Sequence, residues 1–259
     1  RGVTLFDTAA NYSRGASESI VGAWLASRQP APESLNIATK IYPPYTPEAI
    51  SAAVTASADR LGQATLDVLY LHIWDQAVEN PATLIALDQL LKSNRVRVLG
   101  ASNFTSDRLA TVLQLQAKLG LRPFRLIQNN HNLAVQEVDA PLCQLCATHG
   151  VAIVTYSPLG GGFLTGKHQY GVQPGSRFDV SPGHQDVYFN PLSFKRLARL
   201  QAISQRIGEP MPRLALSWAL QQPGITSVLI GGRTPNHLDQ AFDALAYADP
   251  TILAELNFL

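Results

Sequence analysis

Gly2-Val-Thr-Leu-Phe-Asp-Thr-Ala-Ala-Asn-Tyr12 is the stretch that decides how the rest of the chain is read. Val3, Leu5 and Phe6 make a short apolar run ending in Asp7, and Tyr12 follows in a loop that leads to a helix opening near Ser17. The order is strand, loop, helix. A carboxylate at the carboxyl end of a parallel strand, with a phenol in the loop just beyond, is where an α/β barrel or a doubly wound sheet places its chemistry. The opening predicts an enzyme.

The same unit recurs down the chain. Asn36 to Lys40 is a short strand, and Thr46-Pro47 caps a helix with Ile50, Val54 and Leu61 inward and Gly62 past its end. Leu66 to His72 is mostly apolar, as a strand covered on both faces should be, and Asn80-Pro81 opens a helix carrying Leu84, Leu87, Leu90 and Leu91. Val96 to Ala101 ends in Ser102-Asn103, Thr105 or Ser106 caps a helix that Gly120 stops, and Arg125 to Gln128 is the next strand. A helix with Cys143 and Cys146 precedes the strand Val151 to Tyr156, after which an irregular segment rich in Gly, Pro and Ser extends to about Asn190. Helices over about Pro191 to Ile207 and Pro212 to Gln221 lead to the strand Ser227 to Ile230 and a helix from about Pro235.

Seven strands alternating with helices through short connections predict parallel crossovers, and so an α/β fold of the (β/α)8 TIM-barrel type, N-terminally incomplete by one strand. Its 259 residues, 46% of them hydrophobic, suit one barrel domain over 1–259. The chain starts at Arg1 inside a strand and its only methionine is Met211, so a longer parent is expected. Without a first strand, Val3 to Phe6 and Ser227 to Ile230 would leave a gap with unpaired edges, and the chain alone is expected to be poorly stable.

Twenty Lys and Arg against 19 Asp and Glu leave a formal charge of +1 with no basic run, which gives no electrostatic grip on nucleic acid or an anionic membrane. With no apolar stretch of about 18 residues and no signal-peptide pattern, the expectation is a soluble, cytoplasmic protein acting on small molecules. Two cysteines without a second pair cannot complete a structural zinc site, so they read as packed thiols. His131, His149, His168, His184 and His237 show no metal spacing and are expected on the surface or in loops, with no metal bound.

Asp7, Lys40 and His72 end three consecutive predicted strands, so a barrel would gather them at one mouth beside Tyr12. Tyrosine normally holds its proton until about pH 10. A nearby ammonium stabilises the phenolate left when that proton departs, and a carboxylate paired with the lysine keeps the ammonium in place. Tyr12 is then a usable general acid.

On these residues the chain resembles the aldo/keto reductase superfamily from residue 2 to about 246. Asp7, Tyr12, Lys40 in Ala-Thr-Lys and His72 in Tyr-Leu-His-Ile-Trp look like that family's catalytic tetrad. Ser102-Asn103-Phe104 and Gln128 resemble its contacts to the nicotinamide carboxamide, and Tyr156 in Tyr-Ser-Pro-Leu-Gly resembles the aromatic residue that stacks on the nicotinamide, with Ser157, Pro158 and Leu159 following it. The long loop from Gly162-Phe-Leu-Thr-Gly-Lys167 to Arg177 is similar to the branch containing bacterial reductases and potassium-channel β subunits, where Lys167 and Arg177 would meet cofactor phosphates.

The resemblance implies an NADPH-dependent reductase of aldehydes or ketones, with NADPH/NADP+ as cofactor and a small carbonyl compound as substrate. Gly160, Gly161 and Gly162 allow close approach of backbone to an anionic pyrophosphate. Gly231, Arg233 and His237 lie near the start of the last predicted helix, whose amides suit a phosphate, and Arg233 suits an adenosine 2′-phosphate. Where the family commonly has Glu-Asn against the adenine, Gln240-Ala241 stand here, and Gln240 is kept as a contact. Tyr42, Tyr45 and Trp74 are candidates for lining the substrate pocket. Alternative readings are a nucleotide-sensing protein like the channel β subunits, a Schiff-base enzyme using Lys40, and an inactive fragment. His72 argues against the first, since those relatives replace that histidine.

Overall fold

Strands β1 (Leu5–Asp7), β2 (Asn36–Ile41), β3 (Leu66–Leu71), β4 (Val96–Ser102) and β5 (Leu126–Asn130) follow one another along the chain, and each pairs in parallel with the next. Helices α1 (Ala16–Arg28), α2 (Pro47–Leu61), α3 (Pro81–Lys92) and α4 (Ser106–Lys118) make the crossovers. This computed structural model describes residues 2–31, 34–247 and 249–257. Its packing falls into two compact units, Arg1–Gln128 with Gln144–Ala152, and Asn129–Cys143 with Ile153–Leu259.

In the first unit the helix boundaries follow from local chemistry. The Thr46 hydroxyl accepts from Ala49 N at 3.2 Å ahead of Pro47, and Gly62 closes α2 in a left-handed conformation with φ 64°. Asn80 and Thr105 cap α3 and α4 in the same way. Gly22 of α1 lies so close to α2 that a β-carbon there would sit 2.3 Å from the Arg60 carbonyl oxygen.

Strand alternation then positions the polar residues. Ala38, Val68 and Tyr70 form a buried apolar layer with Leu5, Val98 and Leu126 packed against it. Successive residues of a strand point to opposite faces, so those two further on share the same face. Two beyond Leu5, Ala38, Tyr70 and Leu126 stand Asp7, Lys40, His72 and Gln128. The layer is the floor on which the polar set stands.

The second unit holds β6 (Ala152–Tyr156) from Ile153 onward, paired in parallel with β7 (Ser227–Val228) through Val154↔Ser227 and Thr155↔Val228. Helix α5 (Ala140–His149) precedes β6 in the chain. Beyond it come the short α6 (Arg177–Val180) and α7 (Gln185–Tyr188), then α8 (Pro191–Ile207), α9 (Met211–Leu220), α10 (Pro235–Leu245) and α11 (Pro250–Leu256). Leu197, Leu200, Ile203, Leu214, Trp218, Leu253 and Leu256 share a core with Phe163, Phe178 and Tyr188. Seven parallel strands alternating with helices, counted among the described residues, are the pattern of the (β/α)8 barrel class with one strand fewer.

Several expectations need correction. Val3 lies outside β1, and β7 stops at Val228, although Leu229 N still donates to the Thr155 carbonyl at 2.7 Å. The segment read as irregular, from Ser157 to about Asn190, is built from short helical turns around its own aromatic cluster. Phe163 and Phe189 have ring centroids 5.7 Å apart, and Phe178 and Phe189 4.9 Å, with Phe194 of α8 adding a ring 5.2 Å from Phe163. Helix α11 escaped the sequence reading, although Asp249 caps it by accepting from Thr251 N and Ile252 N ahead of Pro250.

His131 and His168 lie between regular elements, within the expectation of surface or loop positions, but both are buried. His131 stacks on Trp218 with centroids 5.3 Å apart and accepts Val138 N–H at Nδ1. His168 packs edge-on against Phe178 at 4.9 Å. Their partners lie far along the chain or within a loop without periodicity, so no local pattern signals the burial. Cys146 is buried as expected, and Cys143 is half-buried.

Candidate active site

Asp7, Tyr12, Lys40 and His72 all belong to the first unit, and the structure brings them together. Lys40 is 1% exposed, and its ammonium donates to Asp7 Oδ2 and, at 2.8 Å, to the Thr8 carbonyl. The other Asp7 oxygen accepts from Gln128 Nε2 at 2.9 Å, so the carboxylate is held from two strands. The Lys40 ammonium stands 5.0 Å from the centre of the Tyr12 ring.

Tyr12 owes its position to the loop after β1. Thr8 N donates to the Ala38 carbonyl at 2.8 Å and Ala10 N to the Lys40 carbonyl at 3.0 Å, which extends the strand pairing past Asp7. Tyr12 then opens a tight turn, Tyr12–Gly15, in which Ser13, Arg14 and Gly15 all have positive φ, of 47°, 55° and 90°. Two non-glycine residues in the left-handed region cost energy that the surroundings must supply.

His72 is the first residue beyond β3, and its N–H donates to the Ile41 carbonyl at 2.9 Å. Its ring meets the rings of Tyr12 and Tyr42 edge-on, each with centroids 5.7 Å apart. Burial, reinforced by the Lys40 charge, pulls its pKa down to about 4, so the imidazole is neutral at pH 7. Its Nδ1 is buried and has no hydrogen-bond partner among the described residues.

Ser102, Asn103 and Gln128 are knitted into the same cluster. The Ser102 hydroxyl donates to the Gln128 carbonyl at 2.7 Å, Asn103 N donates to that carbonyl at 3.1 Å, and Asn103 Nδ2 donates to the His72 carbonyl at 2.8 Å. Sequence reasoning missed the part of Thr8, which acts through its main-chain carbonyl, a group that every residue type carries. It also missed that Gln128 orients Asp7.

The second unit carries the other candidate residues. Tyr156 ends β6, and Ser157 beyond it has φ 57°, its carbonyl accepting from Asn132 Nδ2 at 2.9 Å. Pro158 is buried and Leu159 half-buried. Gly160, Gly161 and Gly162 follow with φ 57°, 64° and 99°, a run of left-handed residues suited to glycine. A β-carbon on Gly162 would lie 3.0 Å from Lys167 Nζ, and one on Gly161 3.6 Å from Arg177 Cγ, so both cationic side chains flank this turn. Arg177 Nη2 lies 2.8 Å from His184 Nε2.

Gly231, Arg233, His237 and Gln240 are exposed around the start of α10. Arg233 Nη1 donates to the Gly175 carbonyl at 3.1 Å, and its main-chain N–H donates to His237 Nδ1 at 3.2 Å. Thr234 makes no side-chain cap among the described residues, Pro235 brings no N–H to the first turn of α10, and His237 N donates to the Thr234 carbonyl at 3.1 Å. Among the described residues no three His, Cys, Asp or Glu side chains gather as a metal site would require, and no helix is long and apolar enough to cross a membrane.

The sequence model of the aldo/keto reductase family matches residues 1–250. The chain belongs to the aldo/keto reductase family. It is similar to an aldo-keto reductase of Metarhizium robertsii, 27% identical over 276 residues that cover 94% of this chain and 74% of that protein. It is also similar to the NADH-specific methylglyoxal reductase of Escherichia coli, 27% identical over 98% of this chain and 83% of the relative. The L-glyceraldehyde 3-phosphate reductase of the same organism is 28% identical over 94% of this chain and 75% of its own length. This aldo/keto reductase is thus an oxidoreductase of a family that works with nicotinamide cofactors.

Proposed function

We propose that this aldo/keto reductase reduces small aldehydes and ketones to alcohols, with NADPH preferred over NADH, and that Tyr12 is the general acid. The observation that carries the proposal is the Lys40 ammonium 5.0 Å from the Tyr12 ring centre, beside a neutral His72 whose ring is 5.7 Å from the same tyrosine. The nicotinamide, when bound, supplies the hydride.

Tyr12 gives its phenolic proton to the carbonyl oxygen as negative charge gathers there, and Lys40 stabilises the phenolate that remains. Asp7 and the Thr8 carbonyl keep the ammonium in place. His72, uncharged, orients the carbonyl oxygen by hydrogen bonding without competing for the proton. Tyr42, 48% exposed, meets the His72 ring edge-on at 5.7 Å, Trp74 follows His72 by two residues, and in our reading the two form walls for the substrate.

The residues of the second unit fit a dinucleotide. An exposed lysine and arginine beside three left-handed glycines offer charge and bare backbone to a pyrophosphate. Arg233, beside an uncapped helix start, is our candidate for the adenosine 2′-phosphate. A Schiff-base mechanism is disfavoured, since the Lys40 ammonium is buried and bonded to Asp7 and Thr8.

The test is Tyr12→Phe. Removing one general acid should lower the rate of aldehyde reduction by at least about 10²-fold, while nicotinamide cofactor affinity stays near that of the parent. A variant that reduces a reactive aldehyde within a few fold of the parent would refute Tyr12 as the acid.

A further inference from the structure

We propose that Glu18 is a positioning residue for carbonyl reduction, holding the turn that carries Tyr12 and the strand that carries Lys40 in register through a buried pair with Arg60. The proposal rests on the reading of Tyr12 as the proton donor.

Glu18, in the first turn of α1, is 0% exposed, which is rare for a carboxylate and costly unless it is paired and hydrogen-bonded. Both of its oxygens are engaged. Oε1 accepts from the hydroxyl of Thr39, the residue immediately before Lys40 on β2. Oε2 accepts from Arg60 Nε at 2.7 Å and lies 2.6 Å from Arg60 Nη2, so the guanidinium grips it through two nitrogens.

Arg60 in turn supports the Tyr12 turn. Its Cδ and Nε lie 2.8 Å from where a β-carbon on Gly15 would be, and Gly15, with φ 90°, closes the turn that begins at Tyr12. Only glycine gives both the conformation and the clearance for backbone to lie on the guanidinium stem. A second bond, Thr8 Oγ1 to Ser17 Oγ at 2.8 Å, ties the same loop to α1. Glu18 is therefore one group from Lys40 along β2, through Thr39, and one group from the Tyr12 turn, through Arg60.

Stability alone is a poor reason for this arrangement. A buried ion pair is often no better than apolar side chains of similar volume, whereas directional bonds to two elements fix their relative position. The left-handed Ser13 and Arg14 need such a hold, because without it the turn relaxes toward cheaper dihedrals and carries the phenol with it.

The test compares Glu18→Gln with a paired replacement, Glu18→Met with Arg60→Met, which removes the charges without leaving one buried alone. Both are measured alone and combined with Tyr12→Phe, for aldehyde reduction, nicotinamide cofactor binding and melting temperature. The expected result is a kcat lower by roughly ten- to a hundredfold with KM and cofactor affinity within about threefold. Because Glu18 acts through Tyr12, adding either replacement to Tyr12→Phe should lower the rate by no more than about twofold to threefold. A kcat within twofold of the parent in the folded Met pair overturns the proposal. So does a loss that multiplies in full on Tyr12→Phe, or a Met pair that does not fold, which would assign Glu18 to the stability of the fold. If Tyr12→Phe alone keeps the parent rate, the reading of Tyr12 fails first, and it fails visibly in the single variant.

Discussion

Asp7 and Lys40 neutralise each other at the carboxyl ends of adjacent strands, with the lysine 1% exposed and the carboxylate also bonded to Gln128 at 2.9 Å. The ammonium has no comparable anionic partner among the described residues if the carboxylate is removed, since the Thr8 carbonyl and the Tyr12 ring, both uncharged, are what remain beside it. Asp7→Ala should cost about 3 to 5 kcal/mol of stability, the usual penalty for leaving one member of a buried pair alone. Asp7→Leu combined with Lys40→Met should recover most of that loss. Urea denaturation of the three proteins measures this, and an Asp7→Ala midpoint equal to the parent's would contradict the pairing.

The two histidines with pKa about 4 predict an acid-sensitive fold. Burial dominates both shifts, with Lys40 adding to it at His72 and Arg196 at His131. Unfolded histidine takes up its proton near pH 6.5, so between pH 6.5 and 4 the unfolded chain binds more protons than the folded one. Stability is then complete above about pH 6.5 and falls as the pH drops through that window. The urea midpoint should decline from pH 7 to pH 5 in the parent and decline less in His131→Gln. Parallel pH profiles for the two proteins would rule out a contribution from His131.

On the proposed reading, cofactor preference turns on Arg233 and its exposed neighbours. Arg233→Ala should weaken NADPH binding by roughly tenfold to a hundredfold, the value of about 1.5 to 3 kcal/mol for one charge-assisted bond, and leave NADH nearly unchanged. A relative named as NADH-specific makes the comparison informative. Equal dissociation constants for the two dinucleotides in the parent would discard the NADPH preference and leave the carbonyl chemistry standing.

Gly22→Ala sets two effects against each other. Alanine favours a helix over glycine by about 1 kcal/mol, but the added β-carbon would lie 2.3 Å from the Arg60 carbonyl oxygen, which belongs to backbone. Overpacking of this kind costs about 1 to 3 kcal/mol. A net loss of thermal stability is expected, accompanied by weaker aldehyde reduction, because Arg60 also supports the Tyr12 turn. A variant more stable than the parent would show that α1 and α2 separate freely.

Much of this protein was legible from the order of its residues. Helix starts at Thr46-Pro47, Asn80-Pro81 and Thr105, and the stop at Gly62, fall where capping chemistry places them, because a cap depends on side chains within three or four residues. Asp7, Lys40 and His72 stood at strand ends in the sequence because strand alternation and the apolar run both end there. The family resemblance rested on the same short motifs.

What lies between distant residues was decided only by tertiary structure. His131 meets Trp218 across 87 positions, the aromatic core of the 157–190 segment has no period, and Gln128 reaches Asp7 across 121 positions. Nothing local marks Glu18 as buried, since at the start of an amphipathic helix a glutamate ordinarily serves the helix dipole from the surface. Local propensities and caps act over a few residues and are written in composition. The partner of a buried charge or ring is set by packing, which depends on how every other element has already been placed.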